Sequence, residues 1–289
     1  MPTSWLQLSL SAPTEALDTI SNFLIERGSP GVVLEKNAVR AFFPHPNGKS
    51  LKRDVRLFYR ALRTIYPAVK GKPLRWSVLK DKNWNSSWRR FFTPQKIGRN
   101  LWVTPPWLEP PRSQRRAVVT IEPGMAFGTG SHFTTRSCLE FIEEVCASLD
   151  GENCTALDVG TGSGILAIAL AKMGAPKVVA LDNDPVALEV ARSNVRTNRV
   201  KNIVQLSDAG PARVKGSFAV VVANLVAETI IDLAQALKKR VSGNGYLILS
   251  GILKPKARDV LLHFTPAPFV LIREKAARGW VTLLLRKER

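Results

Sequence analysis

The stretch ALDVGTGSGILAIALA, residues 156–171, decides the fold class of this chain. The short apolar run ALDV is typical of a buried strand, and the apolar run after Gly164 is typical of a buried helix. Between them, glycines at 160, 162 and 164 allow the backbone to turn tightly and to approach a ligand closely. The stretch predicts a strand, a glycine loop and a helix, which together form a ligand-binding unit of an open α/β sheet.

The spacing of these glycines narrows the choice of ligand. The nicotinamide fingerprint G-x-G-x-x-G would need its third glycine at the position of Ile165. No Lys-Ser/Thr pair follows the loop, so a triphosphate is also disfavoured. The pattern present is G-x-G-x-G preceded by Asp158, which resembles the first motif of S-adenosylmethionine-dependent methyltransferases of the seven-strand type.

Acidic residues follow the next two predicted strands. Asp182, in ALDNDP, comes 22 residues after Gly160 and can hold ribose hydroxyls, a feature that fits dinucleotide and methyl-donor sites equally. Asp208, in LSDA, is placed to meet an adenine amine or, alternatively, to cap an ordinary loop. Both carboxylates are candidate cofactor-binding groups, because ligands of such sheets bind at the carboxyl ends of the strands.

Strands and helices alternate from Ala117 onward, which predicts a doubly wound, mostly parallel, Rossmann-like sheet. The predicted strands are AVVTIEP, TALDVG, KVVALDND, IVQLSDA, FAVVVAN, GYLILSG, FVLIREKAA and GWVTLLLR, and helices are predicted to begin near Thr134, Gly164, Pro185, Glu228 and Pro255.

The front of the chain predicts a smaller α+β unit. Strands are expected at 5–10 and 73–80, a helix with a Thr cap at 14–28, a hairpin turning at Lys36-Asn37, and an amphipathic helix at 49–67. The order β-α-β-β-α-β matches a ferredoxin-like sheet with two helices on one face.

The tetrapeptide GTGS occurs twice, first at Gly128 within MAFGTGSHFTTR and again at Gly160. No other similarity persists at the offset of 32 residues, so the two loops are not an internal repeat. We expect two glycine turns that grip one ligand from two sides, with Thr134 and Thr135 presenting hydroxyls and amides at a helix N-terminus.

Several segments together resemble the bacterial PrmA-type methyltransferases, which modify large-subunit ribosomal protein eleven. They are EPGMAFGTGSHFTT, DVGTGSGILAIA, VVANLVAE and LSGIL, and DKNWNSSWRRFFTPQKIGRNLWVTPPW resembles that family's linker. The resemblance covers residues 80–289 clearly, and the front domain by size and predicted topology only. It implies a substrate-recognition domain over residues 1–80, a linker helix and extended connector over 81–116, and a methyltransferase domain over 117–289.

The resemblance also implies an activity and a set of contacts. Methyl groups would pass from S-adenosylmethionine to lysine and/or N-terminal amines of ribosomal protein eleven, which makes the chain a protein-lysine N-methyltransferase. Carried onto matching positions, the methyl-donor contacts are Thr135, Gly160, Asp182 and Asn224. Gly162 joins them as part of the glycine loop.

Two residues are candidates for catalysis. Asn224 follows the strand FAVVVA, so its oxygens are placed to orient the lone pair of an attacking amine, or it closes a turn as a structural residue. The chain has Asn-Leu-Val-Ala here, where nucleic-acid amino methyltransferases carry Asn/Asp-Pro-Pro-Tyr/Phe, which favours a protein amine. His132 offers proton chemistry near neutral pH, or a structural hydrogen bond in its loop.

The charge distribution is compatible with RNA as a partner. The net charge is +19, and residues 1–120 hold 21 Lys and Arg against 7 Asp and Glu, a net charge of +14. A basic front half is typical of an RNA-facing surface, although solvated charge in a basic proteome gives the same pattern. A methyltransferase for another protein lysine or for ribosomal RNA is therefore the alternative, and a non-enzymatic RNA-binding assembly factor is a third hypothesis.

Cysteine usage and hydropathy restrict the setting. The three cysteines have no Cys-x-x-Cys spacing and no nearby histidine, which argues against a metal site or a disulfide framework and favours a reducing cytosol. The start predicts no signal peptide, and the longest apolar region is too interrupted to span a bilayer. We therefore expect a cytoplasmic enzyme without a membrane partner.

Overall fold

The computed structural model describes residues 4–35, 37–44, 48–69, 73–80, 92–110, 117–123, 130, 132–149, 154–265 and 268–288. The described residues fall into two compact units. One is built from the residues up to Phe92 together with Pro123, and the other from Thr93–Glu122 and the residues from Gly130 onward.

The first unit has the split βαβ order that the sequence predicts. The elements are β1 (Ser4–Ser11), α1 (Thr14–Glu26), β2 (Val32–Glu35), β3 (Ala38–Pro44), α2 (Gly48–Ile65), a 3-10 turn (Pro67–Val69) and β4 (Arg75–Lys80). The four strands form an antiparallel sheet in the order β2-β3-β1-β4, in which β1 pairs with both β3 and β4.

Alternation along β1 explains the core of this unit. Leu6, Leu8 and Leu10 are buried together with the apolar stripes of α1 and α2, while the residues between them are half-buried. The predicted Thr cap of α1 is wrong, since Pro13 occupies the N-cap position without a side-chain hydrogen bond and Thr14 is already helical. The hairpin of β2 and β3 is confirmed, although Lys36 lies outside the described residues.

The second unit contains a seven-stranded sheet. Its strands are β8 (Ala156–Val159), β9 (Val178–Leu181), β10 (Val204–Ser207), β11 (Phe218–Asn224), β12 (Val241–Leu253), β13 (Phe269–Ala277) and β14 (Trp280–Lys287). They lie in the order β10-β9-β8-β11-β12-β14-β13. Strands β8 to β12 pair in parallel, and β14 pairs antiparallel with both β12 and β13, so the predicted mostly parallel sheet is confirmed. The helices of this unit are α3 (Phe133–Ser148), α4 (Ile165–Lys172), α5 (Pro185–Thr197), α6 (Ala227–Asp232), α7 (Ala234–Arg240) and α8 (Ala257–Phe264), with a 3-10 turn at Lys254–Lys256.

Helices cover both faces of this sheet. Ala156 and its neighbours on one face pack with α3, α4 and the end of α5, whereas Leu157 and its neighbours on the other face pack with α6, α7 and α8. Because both faces are covered, the central strands β8 and β9 are buried along their whole length, and the sheet is doubly wound.

One strand lies elsewhere than the sequence predicts. The segment AVVT forms β7 (Ala117–Thr120), but it does not enter the seven-stranded sheet. It pairs in parallel with β6 (Leu101–Thr104), which pairs in turn with β5 (Gln95–Ile97), so the three form a separate small sheet. The prediction of a strand at AVVT is confirmed, but its pairing partner β6 comes from the segment expected to be an extended connector.

The three-part division at 80/81 and 116/117 stays a prediction. The predicted linker helix lies outside the described residues, as do residues 111–116. In the part of the chain that is described, no helix is long and apolar enough to cross a membrane, and no cluster of three His, Cys, Asp or Glu side chains could hold a metal ion.

Candidate active site

Four of the candidate residues come directly after one row of the sheet. Ser207 is paired with Leu181, Leu181 with Val159, and Val159 with Ala223, each across neighbouring parallel strands. The residues that follow this row are Asp208, Asp182, Gly160 and Asn224. Because parallel strands lie about 4.8 Å apart, these four form a linear array at the carboxyl edge, which is where open α/β sheets bind ligands.

The glycine loop has the backbone conformation that its sequence predicts. Gly160, Gly162 and Gly164 have φ values of 75°, 54° and 82°, in the left-handed region that favours glycine. A β-carbon on Gly164 would stand 3.3 Å from the Cβ of Ala191, so this glycine also allows α4 and α5 to approach closely. The amides of Gly160 and Thr161 both donate to the carbonyl oxygen of Leu181 at 2.8 Å, which fastens the loop to the neighbouring strand.

Asp182 has its carboxylate beside this loop. Its Oδ2 accepts a 2.8 Å hydrogen bond from the amide of Gly162, and its Oδ1 accepts from the amide of Asp184 at 3.1 Å. The side chain is half-buried, and each carboxylate oxygen retains a further lone pair. The group is therefore fixed in position and able to accept additional hydrogen bonds from hydroxyl groups.

Asp158 lies fully buried beneath the loop. Its Oδ2 accepts hydrogen bonds from the hydroxyl of Thr161 at 2.6 Å and from the amide of Ala167 at 3.1 Å, so it joins the loop to the first turn of α4. Burial raises the pKa of Asp158 to about 7; those two hydrogen bonds oppose the shift, and the charge of Asp182 adds to it. This carboxyl group therefore has a structural position beneath the glycine loop.

Asn224 contacts one of the two adjacent threonines of α3. Its Nδ2 donates to the hydroxyl oxygen of Thr135 at 3.4 Å, and Thr135 is 1% exposed. The structure therefore brings together two residues that the sequence separates by 89 positions and that both stand among the candidate contacts. Nδ2 keeps a second N–H, and the side-chain oxygen of Asn224 accepts no hydrogen bond from the residues that the structure describes.

Sequence reasoning missed the residues that fix the Asn224 turn. The amide of Leu225 donates to the carbonyl oxygen of Ser250 at 2.9 Å, and Gly251, with φ of 82°, lies directly against the backbone of Leu225. The hydroxyl of Ser250 lies 2.6 Å from that of Thr282 and 3.4 Å from the carbonyl oxygen of Thr134. The motif LSGIL contains both Ser250 and Gly251, so the signal was present, although it did not indicate which atoms approach.

His132 occupies the N-cap position of α3. Its Nδ1 accepts a 3.3 Å hydrogen bond from the amide of Thr134 and lies 2.7 Å from the hydroxyl of the same residue. The ring also makes an edge contact with Trp280 at a centroid distance of 5.3 Å. This geometry matches the structural alternative for His132, and the catalytic role stays a prediction.

The first GTGS loop lies mostly outside the described residues, and Gly130 is the one residue of this tetrapeptide that the structure describes. Gly130 has φ of 86°, and a β-carbon there would stand 3.0 Å from Val103 and 3.4 Å from Ile165, the first residue of α4. Gly130 therefore lies close to the helix that follows the second GTGS loop. This proximity is in keeping with the expected grip of two loops on one ligand, which stays a prediction.

A buried asparagine connects Glu122, which precedes the first GTGS loop, with Ser163 of the second. The Nδ2 of Asn194, on α5, donates to the carbonyl oxygen of Ser163 at 2.8 Å, and its Oδ1 accepts from the amide of Glu122 at 3.2 Å. Asn198, one turn later, makes the same kind of pair with both backbone groups of Thr120. The edge of β7 and the glycine loop are thus positioned by one helix.

Asp208 follows β10 as the sequence predicts, and its side chain is exposed at the end of the linear array. An exposed carboxylate there can reach a ligand that lies along the edge. Its predicted contact with an adenine amine stays a prediction.

The strand order, the antiparallel seventh strand and the glycine loop at the carboxyl edge define a Rossmann-like methyltransferase domain. The family comparison agrees: residues 4–288 match the family described as Ribosomal protein L11 methyltransferase (PrmA). The chain belongs to this family.

Two relatives of known sequence align with nearly the whole chain, and a solved structure aligns with about two thirds of it. A ribosomal protein L11 methyltransferase of Citrifermentans bemidjiense is 33% identical over 306 residues, covering 99% of each chain. One of Geotalea uraniireducens is 34% identical over 314 residues, covering 100% of this chain and 99% of the relative. Among solved structures, a ribosomal protein L11 methylase of Lactobacillus delbrueckii subsp. bulgaricus is 29% identical with a TM-score of 0.61, and the match covers 68% of this chain and 99% of that one.

Proposed function

We propose that this chain is an S-adenosylmethionine-dependent N-methyltransferase that methylates lysine and/or N-terminal amines of ribosomal protein L11. The observation that carries the proposal is the family match over residues 4–288, together with relatives of that name aligned over nearly their whole length. The linear array at the carboxyl edge supplies the matching chemistry. A reaction on a ribosomal protein also supports the expected cytoplasmic location.

The residues present fit the proposed methyl donor. Three of the five residues 160–164 are glycines, which lets a ligand approach the loop backbone closely, and the Asp182 carboxylate has lone pairs left for the two ribose hydroxyls. Asp208 would meet the adenine amine at one end of the array, and Asn224 stands three strands away at the other end. A nucleoside with a charged sulfonium arm is an elongated ligand of the kind that such an array holds.

When bound, the donor supplies a methyl group already activated by a sulfonium. The chain's own residues then have to position a neutral amine in line with it and exclude water. The amide oxygen of Asn224, fixed through Thr135, would accept a hydrogen bond from the amine and aim its lone pair. Positioning of this kind can lower the activation barrier by about 7–11 kcal/mol. Burial also lowers the pKa of a lysine amine, so a dedicated strong base is not required.

We also propose that the ferredoxin-like front unit recognises the protein substrate, as the family resemblance implies. The front unit has its own apolar core, separate from that of the methyltransferase sheet. Its surface can therefore be adapted to a substrate without changing the core of the catalytic sheet.

A transfer assay with radiolabelled methyl donor tests the proposal. Wild type and Asp182→Ala would be given free ribosomal protein L11, naked ribosomal RNA and whole large ribosomal subunits in parallel. We expect label in free L11 with wild type and none with the variant, and peptide mass spectrometry to place the methyl groups on amines. Label only in RNA, or only in another ribosomal protein, would overturn the substrate assignment while retaining the methyltransferase class.

A further inference from the structure

A row of arginines runs along one side of α2 in the first unit. Arg53, Arg56, Arg60 and Arg63 follow each other at spacings of three and four residues, so they lie on one face of the helix. They line a groove of about 500 Å³ together with Leu57, Tyr59, Pro73 and Leu74. The first and last arginines are ten positions apart in the helix, so the row is about 15 Å long.

Little in the described part of the first unit neutralises this row. Asp54 lies 3.6 Å from Arg53, but it also pairs with Arg27 at 3.7 Å. Among the described residues, Arg56, Arg60 and Arg63 make no ion pair. Three guanidinium groups therefore line the groove without a counter-charge from those residues.

Arg63 lies at one end of the row and is partly fixed by its surroundings. Its guanidinium lies over the ring of Tyr59 at 5.1 Å, and its Nε is closed off from solvent. The side chain as a whole is half-buried, so contact with an anion in the groove would be made by its terminal N–H groups. A guanidinium can bind a phosphate through two such N–H groups at once.

We propose that this arginine groove binds the phosphate backbone of RNA. A row of arginines about 15 Å long fits a polymer with repeated charges better than a single phosphate ion, for which the cations would have to converge. Leu57, which is 57% exposed between Arg56 and Arg60, offers an apolar surface to a ribose or base. The net charge of +14 over residues 1–120 supplies a long-range attraction of the kind seen in nucleic-acid-binding proteins.

The RNA that follows from the proposed function is ribosomal RNA beside the substrate protein. That identification rests on the proposed function, whereas RNA binding by the groove does not. Methylation of L11 and binding of RNA can therefore each fail without the other.

The test measures binding of the full-length protein to a fluorescein-labelled RNA hairpin by anisotropy, at salt concentrations from 50 to ~300 mM, a range over which phosphate contacts weaken strongly. The variant is Arg56→Ala/Arg60→Ala, and the matched control is Arg196→Ala/Arg258→Ala, which removes two exposed helical arginines from the second unit. Circular dichroism would check that all proteins are folded. A 12-residue polyglutamate peptide serves as a competing anion.

We expect the groove variant to bind RNA about tenfold more weakly at low salt. Its slope of log K against log salt should be less steep by about 1.5, since each lost phosphate contact removes about 0.7–0.9 from the magnitude of the slope. The control should stay within about twofold of wild type because its arginines lie outside the groove. Equal weakening of both variants would overturn the proposal, since net charge alone would then explain binding. Absence of RNA binding, or tighter groove-dependent binding of polyglutamate than of RNA, would also overturn it.

Discussion

Gly251 lies so close to Leu225 that a β-carbon on Gly251 would overlap the carbonyl oxygen of Leu225 and stand 2.8 Å from its carbonyl carbon. Both groups are backbone, so no side-chain movement relieves the overlap. Leu225 directly follows Asn224, whose amide oxygen is the proposed guide for the amine. The glycine therefore determines where the Asn224 turn can lie.

Replacing Gly251 by alanine should displace this turn and slow methyl transfer. We expect the free energy of unfolding to fall by about 2–4 kcal/mol, from the left-handed φ and the backbone overlap together. We also expect kcat to fall by more than about tenfold, because small displacements of a positioning group are costly. Thermal unfolding and the transfer assay measure the two effects.

Gly216→Ala is the matched control. Gly216 has the same φ of 82°, but a β-carbon there would meet nothing within 4 Å, and the residue precedes β11 at the opposite edge of the sheet. We expect a loss of about 1–2 kcal/mol in stability from φ alone, with kcat unchanged. If both variants lose activity equally, the Leu225 contact does not position Asn224.

Thr135 and Asn224 should act as one unit in catalysis. Thr135→Val removes the hydroxyl that accepts from Asn224 while keeping the side-chain shape. We expect Asn224→Ala and Thr135→Val each to lower kcat with little change in the Kd for S-adenosylhomocysteine. The double variant should lose no more than Asn224→Ala alone, because the second change acts through a group already removed.

Thr134→Val provides the comparison for this cycle. The hydroxyl of Thr134 lies 2.7 Å from Nδ1 of His132 and takes no part in the Asn224 contact. Its effect should add to that of Asn224→Ala. Additivity between Thr135→Val and Asn224→Ala would show instead that the 3.4 Å contact has no energetic consequence.

Asp182→Asn should weaken cofactor binding and also lower stability to a smaller extent. The amide keeps the shape of the side chain but loses the charge and one of the two acceptors that bond the amides of Gly162 and Asp184. Charge-assisted hydrogen bonds contribute about 1.5–3 kcal/mol each. We expect the Kd for S-adenosylhomocysteine, measured by calorimetry, to rise by about 10- to 100-fold. Asp184→Asn, two residues away, keeps an N-cap for α5 and should leave the Kd unchanged.

Local patterns were sufficient to predict much of this molecule. The sequence placed three features at the carboxyl ends of apolar strands, and the structure has them there: the glycine loop, Asp182 and Asn224. The register of neighbouring strands then aligns them. The same patterns gave all seven strands of the main sheet and the split βαβ order of the front unit. These features depend on residues within a few positions of each other.

What the sequence did not reveal depends on contacts between distant residues. Nothing in AVVT shows that β7 pairs with β6 in a separate sheet, because an edge segment and a central strand share the same apolar pattern. Asn194 looks like any polar residue of a helix, yet its amide bridges Ser163 and Glu122. The need for glycine at 251 appears only when the Leu225 turn packs against it.

Asp158 should make stability depend on pH in a defined direction. Burial raises its pKa from an ordinary 3.8 to about 7, so the folded protein binds a proton that the unfolded chain releases between these values. Stability from this group is therefore greatest below about pH 4 and is lost as the pH rises toward 7. In Asp158→Asn this loss is absent, and the amide oxygen can still accept from Thr161 and Ala167.

The difference between the two proteins isolates this one group. Other carboxyl groups titrate in both, so the melting temperature of each protein alone is uninformative, but their contributions cancel in the difference. We expect the Tm of Asp158→Asn minus that of wild type to rise by several degrees between pH 4.5 and ~7.5, in keeping with a shift of a few kcal/mol in a chain of this size. A constant difference across that range would mean that Asp158 ionises normally in the folded protein. A falling difference would mean that its hydrogen bonds to Thr161 and Ala167 outweigh the cost of burial and stabilise the charged form.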